Sequence, residues 1–527
     1  MTPIHPNRRE FLRQSSLAAL SLSVLRAQET KFVVAETSFG KVRGVDNAGI
    51  KTFKGIPYGA NTAGVNRFMP PVDPPKWAGV RDALEYGHSA PQRDPAAQPA
   101  GGGLGVAAQG LPAEGEDCLV LNVWTPAVND GRKRPVMFWC HGGGFATGSG
   151  SSPDTDGTNL ARRGDVVVVT VNHRLNVLGF ANLSEFSRDF AASGDNGMLD
   201  IVHALKWVRA NIGHFGGDPN TVMIFGQSGG GRKVETLLAM PSAKGLFHRA
   251  IIQSGANLQG VSAADAAKSA QMLMTKLNVK TAAELQRVPM DQLVQATLST
   301  PGLRLSPVLD GKSLPEGPFT PAAPAMSAEI PVLIGSTEFE VNFFPNTNFN
   351  PIDDAALRAA VRQATRTGDA DVDKLVAVYR KGRPGYSNVE LQQVIASDNF
   401  RAGVMTEAER KSAQKAPVYM YYFTWRSPVR DGKLKAFHTL EIPFVLENVD
   451  EGKSMTGTGQ DRYALQEQMS GAWAAFARNG NPNHKGLPHW SAFNTDTRAT
   501  MIFGNECKAA NDPYGAERSA LASLRSA

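Results

Sequence analysis

Residues 221–230 read TVMIFGQSGG, and this stretch decides the fold. Its first half, 221–225, is a continuous apolar run of the kind found in strands buried on both faces. The second half, GQSGG, matches the Gly-x-Ser-x-Gly pattern, and a helix is predicted directly after it. A sharp strand-to-helix turn exposes its serine at a helix N-terminus, where unpaired N–H groups favour developing negative charge. The stretch therefore predicts Ser228 as a nucleophile, rather than a serine that only caps a helix.

Similar apolar runs recur on both sides of this stretch and alternate with helix-like segments. That alternation predicts an α/β fold with a mostly parallel central sheet and helices on both faces. An N-terminal hairpin is predicted from segments 32–35 and 41–45. The predicted parallel strands are 135–140, 166–171, 221–225, 249–253, 331–335 and 418–423.

Two long Ala-rich stretches, near 262–298 and 353–413, interrupt the strand series. Both have helical spacing, and the strand series resumes after each of them. We therefore expect helical insertions within a single catalytic domain over residues 28–527. Residues 94–115 are rich in Ala, Gly, Gln and Pro, which predicts a surface loop.

The first 27 residues have the order of an export signal. The pair Arg8-Arg9 precedes a mildly apolar stretch, 17–25, and small residues surround Ala27. This order predicts a twin-arginine signal and a periplasmic or secreted protein. An amphipathic N-terminal helix is the alternative interpretation. The apolar stretch is too short for a membrane span, which needs about 20 apolar residues, and no other run is long enough.

Charge and composition exclude several classes of protein. The first 27 residues hold four arginines and one glutamate, so they supply half of the net charge of +6. The chain has no basic cluster with interleaved aromatic residues, so nucleic-acid binding is not indicated. The histidines lack His-x-x-x-His spacing and no dinucleotide fingerprint follows a strand, so neither a metal nor an organic cofactor is predicted. Three cysteines are too few for a disulfide scaffold.

A second glycine-rich motif, HGGG at 141–144, directly follows the predicted strand 135–140. Acyl transfer requires N–H donors directed at the oxyanion of a tetrahedral intermediate, and a glycine run leaves such groups free. We assign Gly143 and Gly144 as donors, with the N–H of Gly229 as a third. His141 ends a strand before the nucleophile, so a structural hydrogen-bonding role is expected for it.

A hydroxyl nucleophile needs a base, and in this fold the base follows both nucleophile and acid along the chain. His438 satisfies this order, because it comes after strand 418–423, which is predicted to be the last strand. Three other histidines also follow Ser228, but they are placed too close to it or in a turn-rich tail: His248, His484 and His489.

The acid is expected in the loop after strand 331–335, because ligands of α/β sheets bind beyond the carboxyl ends of the strands. That loop contains Glu338 and Glu340. Spacing alone does not choose between them.

Together these motifs resemble those of the type-B carboxylesterases, which include bacterial p-nitrobenzyl esterases and cholinesterases. The resemblance rests on GQSGG preceded by FGGDP (215–219), and on EDCL (116–119) with LNV (121–123). It covers nearly all of the chain after the export signal and implies the α/β-hydrolase fold. By the same resemblance, GSTEFE (335–340) is the acid loop with Glu340 as the acid, and AFH (436–438) is the histidine segment.

The chain departs from this family at three places. The family usually has Glu before the nucleophile and Ala after it, whereas this chain has Gln227 and Gly229. Cys118 is usually bridged to an upstream cysteine, whose place is taken here by Ala90, so no bridge is expected there. Loop 94–115 contains no aromatic residue, whereas cholinesterases carry a cation-binding tryptophan in it.

These features predict a serine esterase that hydrolyses small uncharged esters through an acyl-enzyme. Gln227 and Phe344 are predicted to contact substrate, although ordinary core packing is the alternative for Phe344 and its neighbour Phe343. Two other functions are open: a non-catalytic adhesion protein such as the neuroligins, and a peptidase on the same scaffold. The adhesion alternative would not need nucleophile, acid, base and oxyanion glycines together. The oligomeric state is not predicted.

Overall fold

The computed structural model describes residues 30–92 and 112–524. The predicted export signal and most of loop 94–115 lie outside these ranges. The strands are β1 (Phe32–Thr37), β2 (Gly40–Asn47), β3 (Ile50–Pro57), β4 (Val80–Asp82), β5 (Val120–Thr125), β6 (Arg134–Cys140), β7 (Val167–Val171), β8 (Gly217–Gln227), β9 (Arg249–Gln253), β10 (Val261–Ser262), β11 (Val308–Leu309), β12 (Val332–Thr337), β13 (Val418–Phe423), β14 (Ala499–Phe503) and β15 (Lys508–Asn511).

The α-helices lie between these strands and after the last of them. They are α1 (Thr158–Gly164), α2 (Asn176–Phe180), α3 (Asn196–Asn211), α4 (Gly229–Ala239), α5 (Ala263–Lys276), α6 (Ala282–Arg287), α7 (Met290–Leu298), α8 (Asp354–Thr365), α9 (Asp369–Gly382), α10 (Asn388–Ser412), α11 (Ile442–Val445), α12 (Lys453–Thr456), α13 (Asp461–Asn479) and α14 (Gly515–Ser523). None of the helices in the described ranges is long and apolar enough to cross a membrane.

One large sheet has the order β1-β2-β3-β5-β7-β6-β8-β9-β12-β13-β14-β15, with β4 beside β2. The strands from β7 to β14 in this order run parallel to one another, and the pairs outside them are antiparallel except for β2 and β4. Alternate residues of the central strands enter separate cores on the two faces: Phe138 packs with α3 and α4, and Trp139 packs with α13. The α/β fold with a mostly parallel sheet is therefore confirmed.

The six predicted parallel strands and the N-terminal hairpin are present, with ends shifted by up to four residues. The expectation that the chain's last strand precedes His438 was wrong, because β14 pairs with β13 and β15 follows it. The strands that were not predicted are β3, β4, β5, β10, β11, β14 and β15. In β5 the apolar run is interrupted by Asn122, whose buried side chain bonds to Gly55, Gly150 and Thr170 in this fold.

Both Ala-rich stretches contain helices, α5 to α7 in the first and α8 to α10 in the second. The long helix α10 begins with a capping box formed by Ser387 and Glu390, which satisfies two N–H groups of its first turn. Apolar side chains of α8, α9 and α10 pack around Phe339, which lies just beyond the end of β12. The second stretch therefore packs directly on the segment that carries the two candidate acids.

All three cysteines are free and buried. Ala90, which stands where relatives usually have the partner of Cys118, is also buried in the same core. The region around Cys118 is thus held by apolar packing.

Candidate active site

The predicted catalytic residues all lie at one edge of the sheet. Ser228 directly follows β8, and Gly143 and Gly144 follow β6. Glu340 and His438 lie in the segments after β12 and β13. Because these four strands are parallel, their carboxyl ends meet at the same edge, where α/β proteins bind ligands.

Ser228 occupies a strained backbone conformation, with φ of 58° and ψ of −121°. Such a conformation costs on the order of 1–3 kcal/mol and persists only where the surroundings enforce it. Here the N–H of Ser228 donates to the carbonyl of Gln253 at 2.8 Å, and its carbonyl accepts from Arg232 at 3.0 Å. Residue 230 must lack a Cβ, because that atom would overlap the carbonyl oxygen of Cys140. The result is a partly exposed serine at the N-terminus of α4.

The glycine-rich loop after β6 lies against this turn. Gly143 and Gly144 both have positive φ, 86° and 64°. A Cβ on Gly229 would overlap the backbone nitrogen of Gly144, so the replacement of the family's usual alanine fits this close approach. Within the described ranges, the N–H groups of these three glycines have no hydrogen-bond acceptor. Three free donors therefore lie close to the serine.

Glu340 and His438 form a buried pair. Glu340 Oε2 is hydrogen-bonded to His438 Nδ1. Its other oxygen accepts from the N–H of Thr337 at 2.8 Å and from the hydroxyl of Ser254 at 2.7 Å. A carboxylate at Nδ1 keeps the proton of a neutral imidazole on that nitrogen and leaves Nε2 as the acceptor.

The backbone aligns this pair. The N–H of Phe339 donates to the carbonyl of Ala436 at 2.9 Å, and Phe339 forms an isolated parallel bridge with Phe437 beyond the ends of β12 and β13. The segments that carry the acid and the histidine are therefore held side by side.

Glu338 is used differently, although it lies only two residues from Glu340. Its carboxylate is buried against Arg383, and it also accepts from the hydroxyl of Tyr386 at 2.8 Å. Arg383 in turn binds Glu517 of α14 at 2.9 Å. Glu338 thus joins the acid loop to the second helical insertion and does not contact the histidine.

Gln227 contacts the predicted base directly, with its Nε2 at 3.3 Å from both ring nitrogens of His438. Among the described residues, no hydrogen bond joins the hydroxyl of Ser228 to His438. Bonds between nucleophile and base are often long in the resting enzyme and tighten when substrate binds. The structure therefore brings acid, base and Gln227 into contact and places the serine beside them.

The two phenylalanines after the acid have different environments. Phe344 is 50% exposed, and its ring stacks 5.6 Å from that of His438. Phe343 is packed against the core and stacks on Phe437. Phe344 therefore presents an apolar ring beside His438, whereas Phe343 is used in core packing, and contact of Phe344 with substrate stays a prediction. The ring of Phe400 on α10 also approaches His438, at 6.2 Å, and sequence reasoning missed it.

Two polar groups beside the acid–base pair were also missed. One is Ser254, which follows β9 and donates to Glu340. The other is Glu441, which is fully buried; burial, together with the charge of Glu340, raises the pKa of Glu441 to about 7. Neither belongs to a recognisable motif, because each reaches the site through the fold rather than through spacing in the chain.

His141 has a structural role, as expected. Its Nδ1 lies 2.8 Å from the carbonyl oxygen of Gly142, and its ring stacks on that of His173 at 4.9 Å. Burial holds the pKa of both imidazoles well below the usual value, so both rings are neutral at neutral pH. Residues 30–92 and 112–524 contain no cluster of three or more His, Cys, Asp or Glu side chains suited to a metal ion.

The parallel sheet, the strained serine after β8 and the carboxylate–histidine pair at the same edge define the α/β-hydrolase fold. Comparison with known proteins identifies the family: the chain belongs to the carboxylesterase family, whose model matches residues 31–521. It is therefore a carboxylic ester hydrolase.

Individual relatives agree with this assignment. The para-nitrobenzyl esterase of Bacillus subtilis (strain 168) is 36% identical over 499 residues, covering 93% of this chain and 98% of its own. A solved carboxylesterase of Geobacillus stearothermophilus is 37% identical, with a TM-score of 0.80 over 93% of this chain and 99% of its own. An esterase of Clostridium hathewayi, described as able to hydrolyse aliphatic aromatic polyesters, is 34% identical, with a TM-score of 0.81 over 94% and 100%.

The contrast between the two glutamates can be tested with matched variants. Glu340→Gln should lower kcat by about 10⁴ with little change in KM, because an amide cannot orient and stabilise the histidine as a carboxylate does. Glu338→Gln should change kcat less than about threefold. It should lower the free energy of unfolding by about 2–3 kcal/mol, because the buried Arg383 loses a charged partner. Steady-state kinetics and urea unfolding measure both effects. A larger loss of kcat in Glu338→Gln than in Glu340→Gln would contradict the assignment of the acid.

Proposed function

We propose that the protein hydrolyses uncharged carboxylic esters through an acyl-enzyme, with Ser228 as nucleophile, His438 as base and Glu340 as acid. The observation that carries this proposal is the buried bond between Glu340 and His438 Nδ1 at the strand edge where Ser228 is partly exposed. His438 Nε2 takes the serine proton as Oγ attacks the ester carbonyl. It then gives that proton to the departing alcohol. Water then attacks the acyl-enzyme with the same help from His438, and the carboxylic acid product is released.

The N–H groups of Gly143, Gly144 and Gly229 are the proposed oxyanion hole. They are free in the described structure and lie where β6 and α4 meet beside the serine. In other serine hydrolases, removal of one such donor lowers kcat by about 10²–10³. Fixed backbone donors are effective because they need no reorganisation during the reaction.

Neutral substrates are favoured by the residues around His438. Gln227 is uncharged and touches the imidazole, and Phe344 presents an exposed apolar ring beside it. A cationic alcohol is usually held by aromatic faces and carboxylates. Loop 94–115 contains no aromatic residue, so one such face is missing. The names of the Bacillus and Clostridium relatives point in the same direction, towards aromatic esters.

Neither alternative function gains support. The relatives reported above are esterases, so the adhesion protein has no counterpart among them. No feature of the described structure favours a peptidase. A hydrolysis screen over acyl esters of increasing chain length, with one aromatic ester and one polyester, would identify the preferred substrates.

Ser228→Ala should abolish ester turnover, with a loss of at least about 10⁴ in kcat, while the fold is retained because the hydroxyl is partly exposed. A serine-directed phosphonate should label the wild type at Ser228 alone, as judged by peptide mass spectrometry. Activity of the variant within about tenfold of wild type, or labelling at another serine, would refute the nucleophile.

A second prediction concerns substrate charge. A choline ester should show no kcat/KM advantage over the 3,3-dimethylbutyl ester of the same acid, which has the same shape without the charge. The physical reason is that Gln227 is neutral and loop 94–115 offers no aromatic face. Both esters should be compared at matched pH and salt. A preference above about tenfold for the cation, roughly 1.4 kcal/mol, would reveal a cation site.

We further propose that residues 1–27 direct the protein across the bacterial inner membrane by the twin-arginine route, to the periplasm or beyond it. The proposal rests on the order of Arg8-Arg9, the apolar stretch 17–25 and the small residues near Ala27. These residues lie outside the described structure.

Replacement of both Arg8 and Arg9 by Lys keeps the charge but should stop export, because that pathway reads the arginine pair. The measurement is esterase activity in periplasmic and cytoplasmic fractions of cells that possess the pathway. Arg13→Lys is the matched control and should leave export unchanged. Equal export of the double variant would contradict the proposal.

A further inference from the structure

Lys233 is a fully buried lysine on α4, five residues after the nucleophile. Its Nζ donates to the carbonyl oxygen of His141 at 2.8 Å and to that of Gly144 at 2.9 Å. It also lies 5.7 Å from the centre of the Phe145 ring. A buried charged side chain is costly unless it is well satisfied, so this placement calls for an explanation.

The two carbonyls that Lys233 binds lie at the two ends of residues 141–144, called here the donor segment because Gly143 and Gly144 are proposed oxyanion donors. His141 comes directly before the three glycines, and Gly144 is the last of them. Glycine has more backbone freedom than any other residue, so a run of three needs external restraint to hold one conformation. Lys233 supplies such a restraint through its two hydrogen bonds, while the absence of a Cβ on Gly229 leaves room for Gly144 against the turn.

The titratable groups nearest to the ammonium of Lys233 are all neutral at neutral pH. They are Cys140 on β6, His141 in the donor segment and His173 after β7. Burial raises the pKa of the Cys140 thiol to about 12 and holds the pKa of both imidazoles well below the usual value. Next to His173, Arg174 is paired with Asp200 at 2.6 Å.

We propose that Lys233 is a positioning residue of the oxyanion hole, which fixes the donor segment through His141 and Gly144 and places a positive charge behind it. This inference rests on the proposed function, because it requires that Gly143 and Gly144 receive the oxyanion. A fixed positive charge in a buried site favours the negatively charged transition state over the neutral ester. The effect therefore belongs to kcat and not to KM.

The charge and the hydrogen bonds of Lys233 can be separated by pH. Burial lowers the pKa of Lys233 to about 7, so the charge is present below this pH and lost above it. A neutral amine keeps two N–H donors and can maintain both bonds to the carbonyls. The contribution of Lys233 should therefore be largest in mildly acidic solution and smaller, but not absent, in alkaline solution.

The test compares Lys233→Met with the wild type. Methionine fills similar space without a donor or a charge, and we expect kcat to fall by about 10- to 100-fold with KM changed less than twofold. The ratio of the two kcat values should decrease as the pH rises from 6 to 9. The exposed Lys244→Met is the control for loss of a lysine and should match the wild type.

An oxyanion analogue gives an independent measurement. A trifluoromethyl ketone adds to the serine and forms an oxyanion, whereas the matching methyl ketone binds without one. Lys233→Met should weaken the first inhibitor by the same factor as kcat/KM and leave the second within twofold. Equal weakening of both ketones, or a kcat within twofold of the wild type, would overturn the inference.

Lys233→Gln keeps an N–H donor without a charge and serves if the methionine variant does not fold. Its kcat should lie below that of the wild type at pH 6 and approach it at pH 9; equality at pH 6 would overturn the role of the charge. Failure of the proposed function is distinguishable, because it would appear as retained activity in Ser228→Ala. A normal kcat in the Lys233 variants with an inactive Ser228→Ala would refute this inference alone.

Discussion

The strained turn at Ser228 is the constraint on which the rest of the site depends. A non-glycine residue at φ of 58° and ψ of −121° persists only where the surrounding structure enforces this backbone conformation. Strand β8 lies between β6 and β9 in the middle of the sheet, so its end cannot shift. Gly230 lets α4 begin directly against the carbonyl of Cys140. Sheet pairing and close packing thus offset the strain of this serine conformation.

The acid and the base depend on a second pair of strands. Beyond the last pair of β12 and β13, an isolated bridge between Phe339 and Phe437 joins the segments that hold Glu340 and His438. The same segment also anchors the second helical insertion, through Glu338 and Arg383. One glutamate of the loop is therefore bonded to the histidine, and the other to Arg383 at the end of α9. Phe400 reaches His438 from one of those helices.

The departures from the family are physically connected. Gly229 removes the Cβ that would collide with Gly144, and the carbonyl of Gly144 accepts from Lys233. On the other side of the serine, Gln227 places a neutral amide against His438 where relatives usually have a carboxylate. The turn therefore departs from the family pattern in charge at residue 227 and in side-chain size at residue 229.

The sequence by itself determined the fold class and predicted the proposed nucleophile, donor glycines and base, because each follows from local pattern and chain order. Apolar runs predict buried strands, and Gly-x-Ser-x-Gly between strand and helix predicts the turn at Ser228. Spacing in the sequence did not separate Glu338 from Glu340, and the resemblance alone named Glu340. The tertiary structure supplied the physical reason, since Glu338 binds Arg383, which lies 45 residues further along the chain. It also placed β14 after His438 and brought Lys233 under the donor segment. Those contacts join segments that are distant along the chain, and no spacing within one segment encodes them.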